Sequence, residues 1–195
     1  MINLNVPYIA QNYEFDCWFA ALRMIVKFRY GQNAEPVGHP AAALEGLSRQ
    51  SKRDAIKARA TAEGIAPGSY EYRQRLKLYP PRGINLAEFQ QLAGHNGLVA
   101  PLLPQSYKTN QAAGWTGDRL ETLLRLHGPI WCAFGYGHIV VLKGIAANGD
   151  TIVHNPQGNA DEAYPIANFN NLLDWGPFCI MYMPATPNQS AFQQG

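Results

Sequence analysis

Four residues with side chains suited to nucleophilic chemistry stand at two widely separated places in the chain. Gln11 and Cys17 lie six residues apart, immediately before an apolar segment of helical period. His138 and Asn155 lie in two strand-like segments that a short turn connects. A thiol, an imidazole and a side-chain amide are the groups with which a cysteine nucleophile attacks an acyl bond. The sequence therefore predicts a cysteine-based acyl-transfer site assembled from both ends of the chain.

Each of these four side chains has a definite role in such a site. Cys17 is predicted to begin a helix, where unpaired backbone amides and the helix dipole favour the reactive thiolate. His138 would stabilise the thiolate and carry its proton, and Asn155 would orient the imidazole through an acceptor that bears no charge. The side-chain amide of Gln11 and the backbone N–H of Cys17 would donate to the oxyanion of a tetrahedral intermediate.

Taken singly, each residue also has a purely structural interpretation. A lone cysteine before an apolar helix is more often a packing residue, and Cys132 and Cys179, inside predicted strands, are interpreted that way. An asparagine before a proline, as in Asn155-Pro156, is by itself a turn residue. The joint occurrence of the thiol, the imidazole and the two amides is what favours catalysis.

His154 competes with His138 for the role of the base. Adjacent strand residues point to opposite faces, so His154 and Asn155 are not expected to serve one pocket from a regular strand. His138 is preferred because the glycines before it leave room for a substrate. The substrate cleft is expected to include Trp18, Tyr136 and Gly137. Histidine, cysteine and carboxylate residues show no metal-ligand spacing, so neither a metal nor a cofactor is expected.

The elements that must position these residues follow from hydrophobic periodicity and turn signals. A strand is predicted over 4–8, and helices over 17–30, 41–62, 86–92 and 119–126, with Asp16 as the N-cap of the first helix. Strands are predicted over 130–134, 138–145, 151–154 and 178–183, with a tight hairpin at Asn148-Gly149 and a helical turn over 169–175. Helices followed by an antiparallel sheet indicate an α+β fold of two subdomains with a cleft between them.

Length and composition indicate one globular domain. The chain has 195 residues, of which 47% are hydrophobic and 15% charged. A mainly helical part is expected over about 1–127, a β part over about 128–184, and a flexible tail over 185–195. The formal net charge of +2 is too small to indicate a nucleic-acid or membrane partner, and no apolar run reaches the roughly 18 residues of a membrane span.

Cysteine usage and the first residues bear on the compartment. Three cysteines, at 17, 132 and 179, do not make a disulfide framework. The first 16 residues lack the basic and apolar regions of a Sec-type signal peptide. We therefore expect synthesis in the cytoplasm, with export, if any, by a dedicated system that reads no cleaved signal.

Two blocks of the sequence resemble a known family. Residues 11–18, QNYEFDCW, resemble the Q-x5-C-W block of papain-like cysteine peptidases. Residues 128–131, GPIW, leading to 137–145, GHIVVLKGI, resemble the histidine strand of their compact bacterial branches. Those branches include the C39-like peptidases of double-glycine processing transporters and the effector proteases of plant-associated bacteria. The resemblance covers about 4–30 and 117–183, and the middle, about 35–110, has no counterpart.

The resemblance implies a papain-like fold, in which an N-terminal helical subdomain carries the nucleophile and a C-terminal antiparallel sheet faces it across the cleft. It implies Cys17 as nucleophile, His138 as general acid and base, Asn155 as orienting residue and Gln11 as oxyanion donor. In the C39-like members an aspartate often precedes the proline after the histidine strand, whereas this chain has Asn155. The implied reaction is attack on an amide carbonyl, formation of a thioester acyl-enzyme, and hydrolysis by water.

The leading hypothesis is a compact cysteine endopeptidase acting on a protein or peptide. A secondary hypothesis is a bacterial effector or toxin that acts in a target cell, with a cognate immunity protein covering the cleft in the producer. The resemblance further implies cleavage after small residues such as Gly-Gly. The first alternative is a deamidase, transglutaminase or peptidoglycan amidase with the same three residues. The second is an inactive papain-like fold that serves as a binding module.

Overall fold

The protein was analysed as a computed structural model that describes residues 1–11, 17–36, 49–69, 72–73, 87, 90, 93–94, 96–101, 114–135, 137–174 and 179–185. The elements of this part are, in chain order, β1 (Ile2–Asn3), α1 (Cys17–Tyr30), α2 (Arg49–Ala62), α3 (Gly117–His127), β2 (Ile130–Phe134), β3 (His138–Ile145), β4 (Thr151–His154), β5 (Glu162–Tyr164), α4 (Ile166–Leu172) and β6 (Ile180–Tyr182). The predicted combination of helices with an antiparallel sheet is confirmed.

The strands form one antiparallel sheet around β3. Its order is β5-β4-β3-β2-β6, and β1 pairs with the far end of β3. The register places Phe134 opposite His138 and Val141 opposite His154. The predicted limits of β2, β3 and β4 are confirmed, and so is the hairpin turn, in which Gly149 has a φ of 87°. This left-handed conformation is what the Asn-Gly signal predicts.

Two buried clusters lie on the two faces of the sheet, because successive strand residues point in opposite directions. On one face α1 packs against Trp131, Ala133, Ile139 and Val141. On the other face α3 and α4 pack against the alternate residues Ile130, Cys132, Phe134, Val140 and Leu142. Cys132 and Cys179 are fully buried in this second cluster, which confirms their role as packing residues.

Helix α1 packs on the sheet, and two contacts hold its C-terminal end. At its C-terminal end, Arg29 Nη2 donates to the carbonyl oxygen of Pro184, which follows β6. Phe28 packs so closely on Gly128, just before β2, that a Cβ there would lie 2.9 Å from the phenyl ring. Because β2 runs antiparallel to β3, these contacts hold the C-terminal end of α1 at one end of the sheet. His138 lies at the other end. Cys17 is the first residue of this 14-residue helix and therefore lies at the opposite end of α1.

The N-terminal strand is where the prediction is wrong. The observed strand is Ile2–Asn3, and residues 4–8 form no strand. The N–H of Leu4 still donates to the carbonyl oxygen of Lys143 in β3. The N–H of Val6 instead donates to the carbonyl oxygen of Leu4, so the chain turns away from β3. Pro7 has no N–H with which to resume the ladder.

The remaining predicted elements differ mainly in their ends. The helical turn predicted over 169–175 is observed as α4 (Ile166–Leu172), which begins after Pro165, and the last strand is shorter than predicted. Residues 87 and 90 of the predicted helix over 86–92 are helical. The rest of that helix, the predicted N-cap Asp16, residues 41–48 and the tail from 186 lie outside the described residues. In the part of the chain described, no helix is long and apolar enough to span a bilayer.

The buried side chain of His154 connects the N-terminal segment to the sheet. Its Nε2 atom lies 3.0 Å from the carbonyl oxygen of Val6, and its Nδ1 atom lies 3.2 Å from the backbone nitrogen of Asp161. Because the first partner only accepts and the second only donates, the ring is the neutral tautomer with hydrogen on Nε2. Burial lowers the pKa of His154, and the charge of Lys143 acts in the same direction.

We predict that the protein loses stability as the pH falls below about 6.5, the ordinary histidine pKa. Burial lowers the pKa of two histidines in the folded state, His127 and His154. The unfolded chain therefore binds protons at a higher pH than the folded chain, and the free energy of unfolding decreases as the pH falls. Thermal midpoints measured from pH 7.5 to pH 5 should fall.

The matched control is His154→Gln, which keeps a donor for the carbonyl oxygen of Val6 but does not titrate. Its midpoint should change less steeply over the same interval. The carboxyl groups with lowered pKa values, Glu35, Glu121, Asp161 and Glu162, act only at more acidic pH. A midpoint that is constant or rises down to pH 5 would contradict the prediction.

Candidate active site

His138 and Asn155 are in direct contact. His138 is the first residue of β3, and Asn155 follows the last residue of β4, the neighbouring strand. The register, with Val141 opposite His154, brings Asn155 alongside the beginning of β3. The distance between His138 Nε2 and Asn155 Oδ1 is 2.6 Å. The hairpin of β3 and β4 therefore brings the imidazole and the amide into contact, as the sequence predicted.

The surroundings of Asn155 fix which way its amide points. Its Oδ1 atom accepts from the backbone N–H groups of Gln157 and Gly158, at 3.1 and 3.2 Å. Its Nδ2 atom donates to the carboxylate of Glu162, at 3.0 Å to Oε2 and 3.3 Å to Oε1. An ionised carboxylate only accepts, and a backbone N–H only donates, so the oxygen of the amide must face His138.

The orientation of Asn155 also decides the tautomer of His138. Since Asn155 offers an oxygen, the Nε2 atom of His138 must carry hydrogen and donate it. In the neutral ring the other nitrogen, Nδ1, is then the basic one. Burial lowers the pKa of His138, while the hydrogen bond to Asn155 and the charge of Glu162 raise it, and lowering prevails. Without an adjacent anion, His138 is therefore a neutral base at pH 7.

Glu162 is a residue of this site that the sequence did not reveal. Its carboxylate accepts from the backbone N–H of Asn159 at 2.9 Å and from the hydroxyl of Tyr164 at 2.8 Å, besides Asn155. Burial raises the pKa of Glu162, but these hydrogen bonds outweigh it and lower the pKa, so the carboxylate is ionised at neutral pH. The one available signal was alternation, which puts Glu162 and Tyr164 on the same face of β5.

The N-terminal segment is tied to the loop that contains Asn155. The hydroxyl of Tyr8 lies 3.1 Å from the carbonyl oxygen of Asn155 and 3.0 Å from that of Gly158. The backbone N–H of Gln11 donates to the carbonyl oxygen of Pro156 at 2.9 Å, and the side-chain oxygen of Gln11 is buried. Gln11 therefore lies beside the residue that follows Asn155, although its amide's role toward an oxyanion stays a prediction.

Cys17 is the first residue of α1. It is 6% exposed and belongs to the buried cluster that includes Ile139, the neighbour of His138. Trp18 is 4% exposed in that cluster and Gly137 is exposed, with a φ of 75° and open space around its Cα. Their roles in a substrate cleft stay predictions, and Tyr136 lies outside the described residues.

The sequence profile described as papain-like cysteine protease AvrRpt2 matches residues 1–174, and the chain belongs to this family. It is therefore a cysteine peptidase, which confirms the class that the sequence resemblance implied.

Comparison with solved structures also finds distant similarity. A double glycine motif protease from an AMS/PCAT transporter, solved in complex with the leader peptide, is similar with a TM-score of 0.48 and 17% identity. The similarity covers 93% of this chain and 94% of that chain. No curated protein sequence matches significantly.

The three cysteines are free thiols and all are buried, but Cys17, at 6% exposed, is the first residue of a helix. Cys132 and Cys179 are completely buried, and burial raises the pKa of Cys132 well above that of a free thiol. A buried thiol of this kind is unreactive, whereas a helix N-terminus activates one. Among the described residues, His, Cys, Asp and Glu form no group of three that could hold a metal ion.

We predict that iodoacetamide modifies only Cys17 in the native protein at neutral pH. The reagent attacks thiolates, and the two other thiols are buried within the sheet. Intact-mass spectrometry should find one adduct on the native protein and none on Cys17→Ala. After unfolding, the two proteins should carry three and two adducts, since all the cysteines are free. Native labelling at Cys132 or Cys179, or an inert Cys17, would be incompatible with the assignment.

Proposed function

We propose that the protein is an endopeptidase in which Cys17 is the nucleophile, His138 the general acid and base, and Asn155 the residue that orients the imidazole. The observation that carries this proposal is the 2.6 Å hydrogen bond from His138 Nε2 to Asn155 Oδ1. It leaves His138 Nδ1 as the nitrogen that can accept a thiol proton. Membership of a cysteine protease family supports the use of that proton in peptide hydrolysis.

The reaction proceeds in two acyl-transfer steps. His138 Nδ1 takes the proton of Cys17, and the thiolate attacks the carbonyl carbon of the scissile bond. The resulting oxyanion is stabilised by the side-chain amide of Gln11 and the backbone N–H of Cys17. His138 then gives its proton to the leaving amine, and a thioester on Cys17 remains. Water, deprotonated by His138, hydrolyses the thioester and regenerates the thiol.

The proposed cleft lies between the N-terminal helical part and the sheet. Two features support this location: Cys17 and Ile139, the neighbour of His138, belong to one buried cluster, and a Cβ at Gly137 would meet no atom beyond its chain neighbours within 4 Å. The backbone bond from Gln11 to Pro156 keeps Gln11 next to the same loop. A peptide chain laid across this edge would have its carbonyl group between the helix N-terminus and His138.

The proposal extends to the substrate and the biological role. We infer cleavage after small residues such as Gly-Gly, on the strength of the sequence resemblance to double-glycine processing peptidases. The description of the family as AvrRpt2 supports a role as a delivered bacterial effector or toxin. In this role the enzyme is made in the cytoplasm and exported by a dedicated system, and a cognate immunity protein covers the cleft in the producing cell.

We predict that the protein, expressed inducibly in the bacterial cytoplasm, generates new protein N-termini that depend on Cys17. The Cys17→Ala variant lacks the nucleophile and should generate none of them. Cys179→Ala, which removes a buried packing thiol, should retain cleavage. Proteome-wide identification of N-termini measures the effect, and small residues should predominate immediately before the cleaved bonds.

Two outcomes would count against the proposal. If Cys17-dependent growth arrest occurs without new termini, and target proteins show the mass change of deamidation or cross-linking, another acyl transfer is the reaction. If bulky residues precede the cleaved bonds as often as small ones, the inference about Gly-Gly is wrong while the peptidase mechanism stands.

A further inference from the structure

A carboxylate stands directly behind the amide that orients His138. Glu162, the first residue of β5, holds Asn155 Nδ2 at 3.0 Å, and Asn155 Oδ1 in turn holds His138 Nε2 at 2.6 Å. The three side chains therefore form one continuous hydrogen-bonded chain. It begins at an anion and ends at the imidazole.

Neighbouring groups hold this carboxylate in position. Each of its oxygens accepts a further hydrogen bond, one from the N–H of Asn159 and one from the hydroxyl of Tyr164. Gly158 makes the close approach feasible, since a Cβ at that position would overlap Glu162 Oε1 and lie 2.7 Å from Asn155 Nδ2. Any larger residue at 158 would push the carboxylate and the amide apart. The loop is thus shaped around the contact between Glu162 and Asn155.

We propose that Glu162 is a positioning residue for the peptidase reaction: through Asn155 it holds His138 in the tautomer with hydrogen on Nε2. The inference rests on the roles proposed above for Cys17 and His138. A side-chain amide has a donor end and an acceptor end, and exchanging them would present the NH2 group to His138. The imidazole would then carry its hydrogen on Nδ1, where it could not accept the thiol proton. A wrong tautomer of this kind is very costly in hydrolases with a histidine base.

Glu162 opposes that exchange because the amide oxygen would then face a carboxylate. The backbone N–H groups of Gln157 and Gly158 act in the same direction from the other side of the amide. Unlike these backbone groups, Glu162 carries a charge and can be substituted by mutation. Its role is therefore open to a test by substitution, which the backbone groups are not.

The sharpest test is to reverse the polarity of the contact. In Asn155→Asp alone, two carboxylates would face each other, and they cannot both be ionised at that distance without a large cost. In the double variant Asn155→Asp/Glu162→Gln, the introduced aspartate accepts from His138 and the introduced glutamine donates to the aspartate. The glutamine oxygen can still accept from Asn159, and its second N–H can donate to the oxygen of Tyr164. Every donor and acceptor in the hydrogen-bonded series from residue 162 to His138 is then paired again.

The experiment compares kcat and KM of the wild type, both single variants and the double variant on one peptide substrate. Asn155→Asp should lower kcat about 100-fold, within the range of acid–base contributions. Glu162→Gln should lower it about 10-fold, because it loses the charge and accepts either orientation of the amide. The double variant should exceed Asn155→Asp by about 10-fold or more, since the two changes compensate each other. KM should stay unchanged throughout, because the proposed role of Glu162 is exerted on His138 through Asn155 and involves no contact with the substrate.

A second measurement needs no substrate. The rate at which iodoacetamide modifies Cys17 reports how well His138 supports the thiolate, and it should follow the same order among the four proteins. The control is Glu121→Gln on α3, which removes a carboxylate that pairs with the N-terminus and Arg125 and should leave both rates unchanged. Thermal midpoints establish that each variant is folded.

The outcomes separate the two proposals. If the folded double variant is no faster than Asn155→Asp in turnover and in alkylation, Glu162 is only a structural support and the inference fails, while the peptidase mechanism stands. If Cys17→Ala cleaves as well as the wild type, the mechanism fails instead. If no peptide is cleaved, the alkylation rates still decide whether Glu162 acts on the thiol through Asn155.

Discussion

The hydrogen bond between His138 and the amide of Asn155 is the interaction on which the rest of the site depends. An amide can present an oxygen or an NH2 group, and only the oxygen gives His138 a basic Nδ1 atom. The fold meets this requirement through the groups around Asn155. Backbone N–H groups donate to the amide oxygen and a carboxylate accepts from the NH2 group, so only one orientation of the amide satisfies both. In the proposed mechanism, the groups around Asn155 therefore prepare His138 for the chemistry at Cys17.

That loop is in turn held at several points by residues remote from it in sequence. Lys143, a largely buried residue of β3, pairs with Asp161 at 2.7 Å, and Asp161 occupies the left-handed region with a φ of 58°. A non-glycine residue in that region needs surrounding contacts to keep it there, and this ion pair is one. The N-terminal segment adds Tyr8 and Gln11. Residues almost 150 positions apart therefore shape one loop, and the site forms only when both ends of the chain have folded together.

The regular elements could be predicted from sequence, whereas the irregular contacts could not. The period of apolar residues and the Asn-Gly turn predict α1 and the strands β2 to β4, because burial of one face leaves a repeating pattern. Glu162 and Tyr8 reach Asn155 from a short edge strand and from a segment without secondary structure, where no period exists. The N-terminal strand was misplaced because its pairing is decided by β3, a partner distant in sequence, rather than by local propensity.

Nitrogen NMR of the histidine rings tests the central claim most directly, since it reads the tautomer of His138 and its link to Cys17 without a substrate. With isotope-labelled histidine and His138→Gln for assignment, the neutral ring of His138 should carry hydrogen on Nε2. Alkylation of Cys17 removes the thiolate, so the pKa of His138 should fall. A neutral ring with hydrogen on Nδ1, or a pKa of His138 that ignores the state of Cys17, would contradict the proposed mechanism.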